Sequence, residues 1–275
     1  MSEDVRTKLR ASASGQNMRK RQSPKRKPLK KKEQVQEPTV EIQPIEYETQ
    51  AIEETANVLF KPNPGPQTDF LAAAEREVLY GGSAGGGKSY AMLSDPLRYM
   101  GHPAFSGLLL RHTTEELREL VFKSQELYPK IWPGIKWSER KMQWTAPSGA
   151  RLWMSYLDRD DDVLRYQGLA FSWIGFDELT QWATPYAWNY MRSRLRSTAP
   201  DLPIYMRATT NPGGRGHHWV KKMFIDPAPY NRAYDATDIE TGEVLKYPAG
   251  HAKAGRPLYK RRFIPARLSD NPYLA

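Results

Sequence analysis

Four short apolar runs, each closing on polar or glycine-rich residues, set the plan of this chain: Glu77-Val78-Leu79-Tyr80, Gly107-Leu108-Leu109-Leu110-Arg111, Phe171-Ser172-Trp173-Ile174-Gly175-Phe176 and Ile204-Tyr205-Met206-Arg207-Ala208-Thr209. Runs of this length without strict alternation read as strands buried on both faces. Helical patterns stand between them. Ser89-Tyr90-Ala91-Met92-Leu93 can start one helix, and Thr113-Thr114-Glu115-Glu116-Leu117 opens another with a capping box, its Leu117, Leu120 and Val121 spaced for one face. Strands alternating with helices predict an α/β fold with a mainly parallel central sheet flanked by helices. Two further features interrupt the alternation. Met142-Gln143-Trp144-Thr145 and Arg151-Leu152-Trp153-Met154-Ser155-Tyr156 flank Pro147-Ser148-Gly149 as an inserted hairpin, and a short helix from Thr68 to Ala74 follows the turn-rich Lys61-Pro62-Asn63-Pro64-Gly65-Pro66. No internal repeat is visible.

The pattern fails before about residue 55. There the sequence is rich in Ser, Gln, Pro, Lys and Glu and cannot bury enough apolar surface to offset the entropy of ordering, so residues 1–55 read as a disordered arm and residues 56–275 as the globular domain. Charge divides the chain in the same way. Residues 1–32 hold twelve Lys or Arg against Glu3 and Asp4, a net +10; residues 33–60 hold seven Glu and no cation, −7; the remaining +7 of the overall +10 lies in 61–275. The arm is thus basic and then acidic, and the domain is basic by itself, which suits a polyanionic partner. The absence of cysteine excludes disulfides and thiolate metal sites. No run of about 18 apolar residues is present and the N-terminus is polar, so a soluble intracellular protein without a membrane partner is expected.

Candidate chemistry begins where the first strand ends. Gly82-Ser83-Ala84-Gly85-Gly86-Gly87-Lys88-Ser89 fits the G-x-x-x-x-G-K-[ST] phosphate loop without a mismatch. Its glycines let successive N–H groups surround an anion, Lys88 can reach the β- and γ-phosphates, and the Ser89 hydroxyl can complete the shell of Mg²⁺. The third apolar run ends in Asp177-Glu178, about ninety residues downstream. An acid at a buried strand's carboxyl end can hold the Mg²⁺ shell through Asp177, while Glu178 can orient and deprotonate a water: the Walker B element. The fourth run closes on Thr210-Asn211-Pro212, polar groups at the sheet edge where ligands bind, suited to sensing the γ-phosphate. The acids at 158 and 160–162 read as a solvated loop, and the cations from Lys253 to Arg267 as phosphate contacts or the solvated side of a strand.

These elements in this order resemble the ATPase region of the large terminase subunit of tailed bacteriophages, over roughly residues 61–275. Gln67 resembles the family's adenine-recognition glutamine, Gly81 to Ser89 its phosphate loop, Trp173 to Leu179 its Walker B segment, and Thr210-Asn211-Pro212 with Gly216 to Phe224 its coupling motif and following helix. The resemblance implies a P-loop NTPase fold of the ASCE type. It also implies ATP and Mg²⁺ as cofactors and hydrolysis of ATP to ADP and phosphate that drives double-stranded DNA into a procapsid. The partners it implies are double-stranded DNA, the portal protein, the small terminase subunit and further copies of the chain in a ring, in the cytoplasm of an infected bacterium. Two departures follow. The phosphate loop lacks the arginine many relatives carry, which leaves Arg111, Arg165 and the run Met191-Arg192-Ser193-Arg194-Leu195-Arg196 as candidates for an arginine acting on a neighbour's site. The clustered acids of the family's C-terminal nuclease do not occur before Ala275, so nuclease activity is not expected. A helicase-like ATPase stimulated by nucleic acid, or a nucleotide-dependent DNA-binding scaffold, would share the same elements.

Overall fold

The computed structural model describes residues 60–83 and 85–271; the arm expected over 1–55, Ala84 and the last four residues lie outside the described residues. The strands are β1 (Glu77–Gly82), β2 (Ser106–Arg111), β3 (Lys136–Ser138), β4 (Gln143–Thr145), β5 (Arg151–Tyr156), β6 (Trp173–Phe176), β7 (Tyr205–Thr210), β8 (Ala233–Asp235) and β9 (Lys260–Ala266). They form a nine-stranded sheet in the order β3-β4-β5-β2-β6-β7-β1-β9-β8. From β5 to β9 every pairing is parallel. Antiparallel strands close both edges, β4 and β3 beside β5 and β8 beside β9. The chain therefore has the expected mainly parallel α/β sheet, with β7 between the strand that ends at Gly82 and the strand that ends beside Asp177 and Glu178.

The period-2 alternation of strands divides each apolar run between two cores. Val78, Tyr80, Leu109 and Trp173 face one layer, where they bury against Phe70, Met92, Leu117, Leu120 and Tyr128; Leu79, Leu108, Leu110, Ile174 and Phe176 face the other, against Trp188, Trp219 and Phe224. The first layer is made by α1 (Pro66–Ala72), α2 (Lys88–Ser94) and α3 (Thr114–Ile131), the second by α4 (Tyr186–Arg192), α5 (His217–Val220) and the π-helical turn Lys221–Ile225 that continues it. Helix α3 starts where its cap requires. Thr113 accepts a hydrogen bond from the Glu116 amide at 3.3 Å while the Glu116 carboxylate accepts one from the Thr113 amide at 3.2 Å. Among the described residues no helix is long and apolar enough to cross a membrane.

Several boundaries differ from the pattern. Helix α1 begins at Pro66, two residues before the expected start, because proline suits a first helical turn. Phe171 lies outside β6 and makes only an isolated bridge to Leu195. The expected hairpin of β4 and β5 gains β3 as a third strand and joins the sheet through β5 and β2. The acids from Asp160 lie in a 3-10 helix, Asp160–Tyr166, instead of a loop.

The basic tract from Lys253 to Arg267 holds the largest surprise. It supplies β9, and Arg261 is 1% exposed there, its Nε 2.7 Å from Glu77 Oε2 while Arg192 Nε lies 2.6 Å from Oε1. Burial alone would raise the Glu77 pKa; the guanidiniums of Arg261 and Arg192 more than offset it and hold the carboxyl below the usual carboxylate range. Arg261 is thus part of the core and neither a phosphate contact nor a surface charge.

Candidate active site

Between β1 and α2 the chain turns tightly under the end of β9. The Ser83 amide donates to the Ala266 carbonyl at 3.0 Å, and Gly82, at φ 138°, passes so close that a Cβ would lie 1.9 Å from the same oxygen. Only glycine fits there. Gly87, at φ 73°, is pinned from the other side: its carbonyl accepts from Gln67 Nε2 at 2.9 Å, and Gln67 Oε1 accepts from the Asn63 amide at 2.6 Å. The Tyr80 hydroxyl donates to the Gly86 carbonyl at 2.8 Å, and the Gly85 carbonyl accepts from the Asn271 amide group. The loop is therefore held at both ends and in its middle by groups outside it. Gln67 uses both ends of its amide, which ties the segment before α1 to the start of α2.

Lys88 opens α2 and is 6% exposed, its ammonium donating to the Ser83 carbonyl at 2.5 Å and the Gly82 carbonyl at 3.4 Å. Burial lowers its pKa, opposed by the negative fields of Glu178 and Asp177. Ser89, half-buried, follows it in the first turn of the helix.

Across β7 stand the acids. Asp177 is fully buried after the last residue of β6, and its Oδ1 accepts from the Thr209 hydroxyl. The Thr209 oxygen in turn accepts from the Glu178 amide at 3.0 Å, so one hydroxyl sets both acids. Arg111, at the end of β2, brings Nε to 2.9 Å from Asp177 Oδ2, yet the N–H is not aimed at that oxygen and neither atom completes a hydrogen bond. Oδ2 is thus a buried carboxylate oxygen with a charge beside it and an unused lone pair. A carboxylate oxygen of this kind is a hard donor of the type a magnesium ion takes.

Glu178 adopts the left-handed conformation, φ 62°, which turns the chain sharply after the strand and sets its Oε1 2.7 Å from Asn211 Nδ2. Burial raises its pKa, Asp177 adds to the rise, and Arg111, Lys88 and the hydrogen bond from Asn211 work against it. A carboxylate so placed is a stronger base than one in water.

The structure brings the sequence-predicted residues together unequally. Lys88, Asp177, Glu178 and Asn211 interact directly or through their fields, and Gln67 and the glycines shape the loop. Thr210 does not touch Glu178; its hydroxyl meets Thr180 Oγ1 at 2.9 Å and the Asn211 carbonyl at 3.0 Å. The two arginines part company. Arg111 is 8% exposed against its own Asp177, whereas the Arg165 side chain is 49% exposed, pairs with Asp162 and lies over the Tyr156 ring.

Sequence reasoning missed Thr209, Thr180 and Asn63. Thr209 left one signal, a hydroxyl in the penultimate position of a strand buried along its whole length. The segment after the acids is also stitched to α5: the Gly216 amide donates to the Thr180 carbonyl at 2.8 Å and Trp219 Nε1 to the Trp182 carbonyl at 2.8 Å.

Comparison with known proteins agrees with this architecture. The large terminase of a thermophilic bacteriophage, solved in complex with ADP, matches with a TM-score of 0.52 at 14% identity, over 78% of this chain and 48% of that one. A second crystal form of that protein gives 0.51 at 14% identity, over 78% and 48%. The N-terminal domain of the DNA packaging ATPase from bacteriophage phi29 matches at 0.42 and 18% identity, over 54% of this chain and 78% of that one. The chain spans about half the length of the thermophilic phage's protein, and at these identities the likeness concerns the fold. No curated protein matches the sequence. A family model described as phage terminase large subunit matches residues 74–246, well over half of the chain. The chain thus belongs to the phage terminase large subunit family.

Proposed function

We propose that this chain is the ATP-hydrolysing motor of a phage terminase large subunit, and that it drives double-stranded DNA into a procapsid. The observation that carries the reading is the joint setting of Asp177 and Glu178 by Thr209, one strand away from a phosphate loop whose lysine lies in their field.

On this reading the loop amides between Gly82 and Ser89 bind the phosphates of ATP, and Lys88 leaves the carbonyls of Gly82 and Ser83 to meet the β- and γ-phosphates. Ser89 and Asp177 Oδ2 would hold Mg²⁺, which supplies charge neutralisation on the transferred group. Glu178 orients a water in line with the γ-phosphorus and takes its proton as the new P–O bond forms and the bond to the β-phosphate oxygen breaks, giving ADP and phosphate. Its raised basicity suits that task. Asn211 holds the carboxylate through Oε1 and, as the residue after β7, carries the change in Glu178 into the segment that continues as α5. Arg165, exposed at the surface, is the better placed of the two arginines to reach a neighbouring copy in a ring, while Arg111 serves its own Asp177. The portal protein and the small terminase subunit complete the assembly in the host cytoplasm.

The test is ATP hydrolysis by the purified chain at several protein concentrations, with and without duplex DNA. A rate per subunit that rises with concentration and is lost in Glu178→Gln, with ATP binding kept, is expected. Hydrolysis equal in wild type and variant would remove Glu178 from its role and the motor reading with it.

A further inference from the structure

The fold splits the basic tract before and within β9 into two populations. Lys260, Arg261 and Arg262 are engaged, with Asp235 at 3.1 Å, Glu77 at 2.7 Å and Glu75 at 3.8 Å. Lys246, Lys253 and Arg256 are exposed, and among the described residues none of them has an ion-pair partner. No acid occurs from Val244 to Tyr259.

The chain between β8 and β9 explains why these cations stay clear of acids. Its middle segment, 243–247, is bonded on one side to Ala236 (Leu245 amide to Ala236 carbonyl, 2.7 Å) and on the other to Arg256 and Leu258 (Tyr247 amide to Arg256 carbonyl, 3.0 Å; Leu258 amide to Leu245 carbonyl, 2.7 Å). A turn therefore stands at each end of that segment. The turn before it holds Asp238 and Glu240, with Glu243 at the first position of the segment, and the Asp238 carboxylate accepts from the amides of Glu240 and Thr241 at 2.9 Å each. The turn after it, 248–255, is flanked by the cations. At the rise of a strand the two ends are roughly 13 Å apart.

The basic turn is ordered by its own contacts. The Tyr247 and His251 rings stack with centroids 4.4 Å apart, Lys253 Nζ lies 5.8 Å from the Tyr247 centroid, and the Gly255 amide donates to the Tyr247 carbonyl at 3.1 Å. His251 Nδ1 accepts from the Lys253 amide at 3.0 Å, which leaves Nε2–H of this exposed ring as a donor.

We propose that this turn, from Lys246 to Arg256, is a contact surface for the phosphate backbone of duplex DNA. Ammonium, guanidinium and imidazole donors on a pre-ordered loop, with no acid among them, suit phosphate oxygens and read no sequence. The choice of DNA among polyanions rests on the motor reading above. The surface is remote from the nucleotide loop: β9 runs from Lys260 beside this segment to Ala266 at the phosphate loop, roughly 20 Å at strand rise.

The experiment compares the full chain with the variant Lys246→Ala, Lys253→Ala, Arg256→Ala for binding of a labelled blunt duplex across a salt series. Each lost phosphate contact lowers the slope of log K against log salt by about 0.9, so a fall of about 2.7 is expected. A basic N-terminal arm adds equally to both proteins and cancels in the difference. Melting temperature and DNA-independent ATP hydrolysis are expected to stay at wild-type values, and Lys253→Glu alone is expected to weaken binding more than Lys253→Ala. An unchanged slope in a variant that melts normally would overturn the surface while leaving the motor reading intact. Failure of the wild-type chain to bind duplex DNA would overturn both. Loss of binding to polyglutamate with DNA binding retained would mark an acidic protein as the partner and overturn the proposal.

Discussion

Replacing Glu77 by Gln should expose how much of this fold rests on one buried charge. Glu77 is wholly buried at the first position of β1, between Arg261, itself 1% exposed, and Arg192. Glutamine keeps the shape and an acceptor oxygen but leaves a guanidinium in the core without a countercharge. Removing one partner of a buried ion pair costs about 3–5 kcal/mol, and Arg261 sets that figure more than Arg192, which retains some solvent. At about 2–4 °C per kcal/mol for a domain of this size, the melting temperature should fall by roughly 6–20 °C.

The pH dependence has a definite sign. The Glu77 pKa is depressed in the folded chain, so its contribution is fully present above the ordinary value of 4.5 and is lost as pH falls through the lower, folded value. The gap between wild type and Glu77→Gln should therefore stay constant from neutral pH to about that point and close only below it. Scanning calorimetry at a series of pH values measures both effects. Glu77→Leu combined with Arg261→Met removes the two fully buried charges and leaves only Arg192, which retains some solvent, so it should recover most of the loss. A single variant that melts within about 2 °C of wild type, or a double variant no better than the single, would refute the argument that charge pairing and not packing governs this site.

Two further substitutions probe the active site. Gly82→Ala would set a Cβ against the Ala266 carbonyl at a backbone angle hostile to alanine; titration calorimetry should find ATP binding abolished, and affinity within threefold of wild type would contradict the close approach. Thr209→Val removes the hydroxyl that donates to Asp177 and accepts from the Glu178 amide, which should cost about 1–3 kcal/mol in denaturant melts and lower ATP turnover by at least about tenfold; unaltered turnover would show that the hydroxyl does not set the acids.

Much of the site was legible because its chemistry is local. The phosphate loop and the Asp177-Glu178 pair are contiguous stretches, and the apolar runs before them need no partner to be recognised as strands. What stayed hidden depends on pairing across long sequence separations. β9 stayed only one of two readings because Arg261 and Arg262 break its apolar pattern, and Arg261 reads as an exposed cation until Glu77, 184 residues away, is known to face it. β3 is only three residues long and offers no periodicity to detect. Thr209 gained its role from two neighbours brought in by β6, and the distinction between Arg111 and Arg165 follows from burial, which residue type alone does not encode.

Thr209 and Thr210 are consecutive, so their side chains leave β7 on opposite faces of the sheet. One grips the acids; the other meets Thr180 and stands beside Gly81 of the loop strand, where a Cβ would fall 2.6 Å from its methyl group. Sliding β7 by one residue would exchange the two faces and release both sides at once. The register of one central strand therefore serves two tasks at once, the setting of the acids on one face and the close packing of the loop strand on the other.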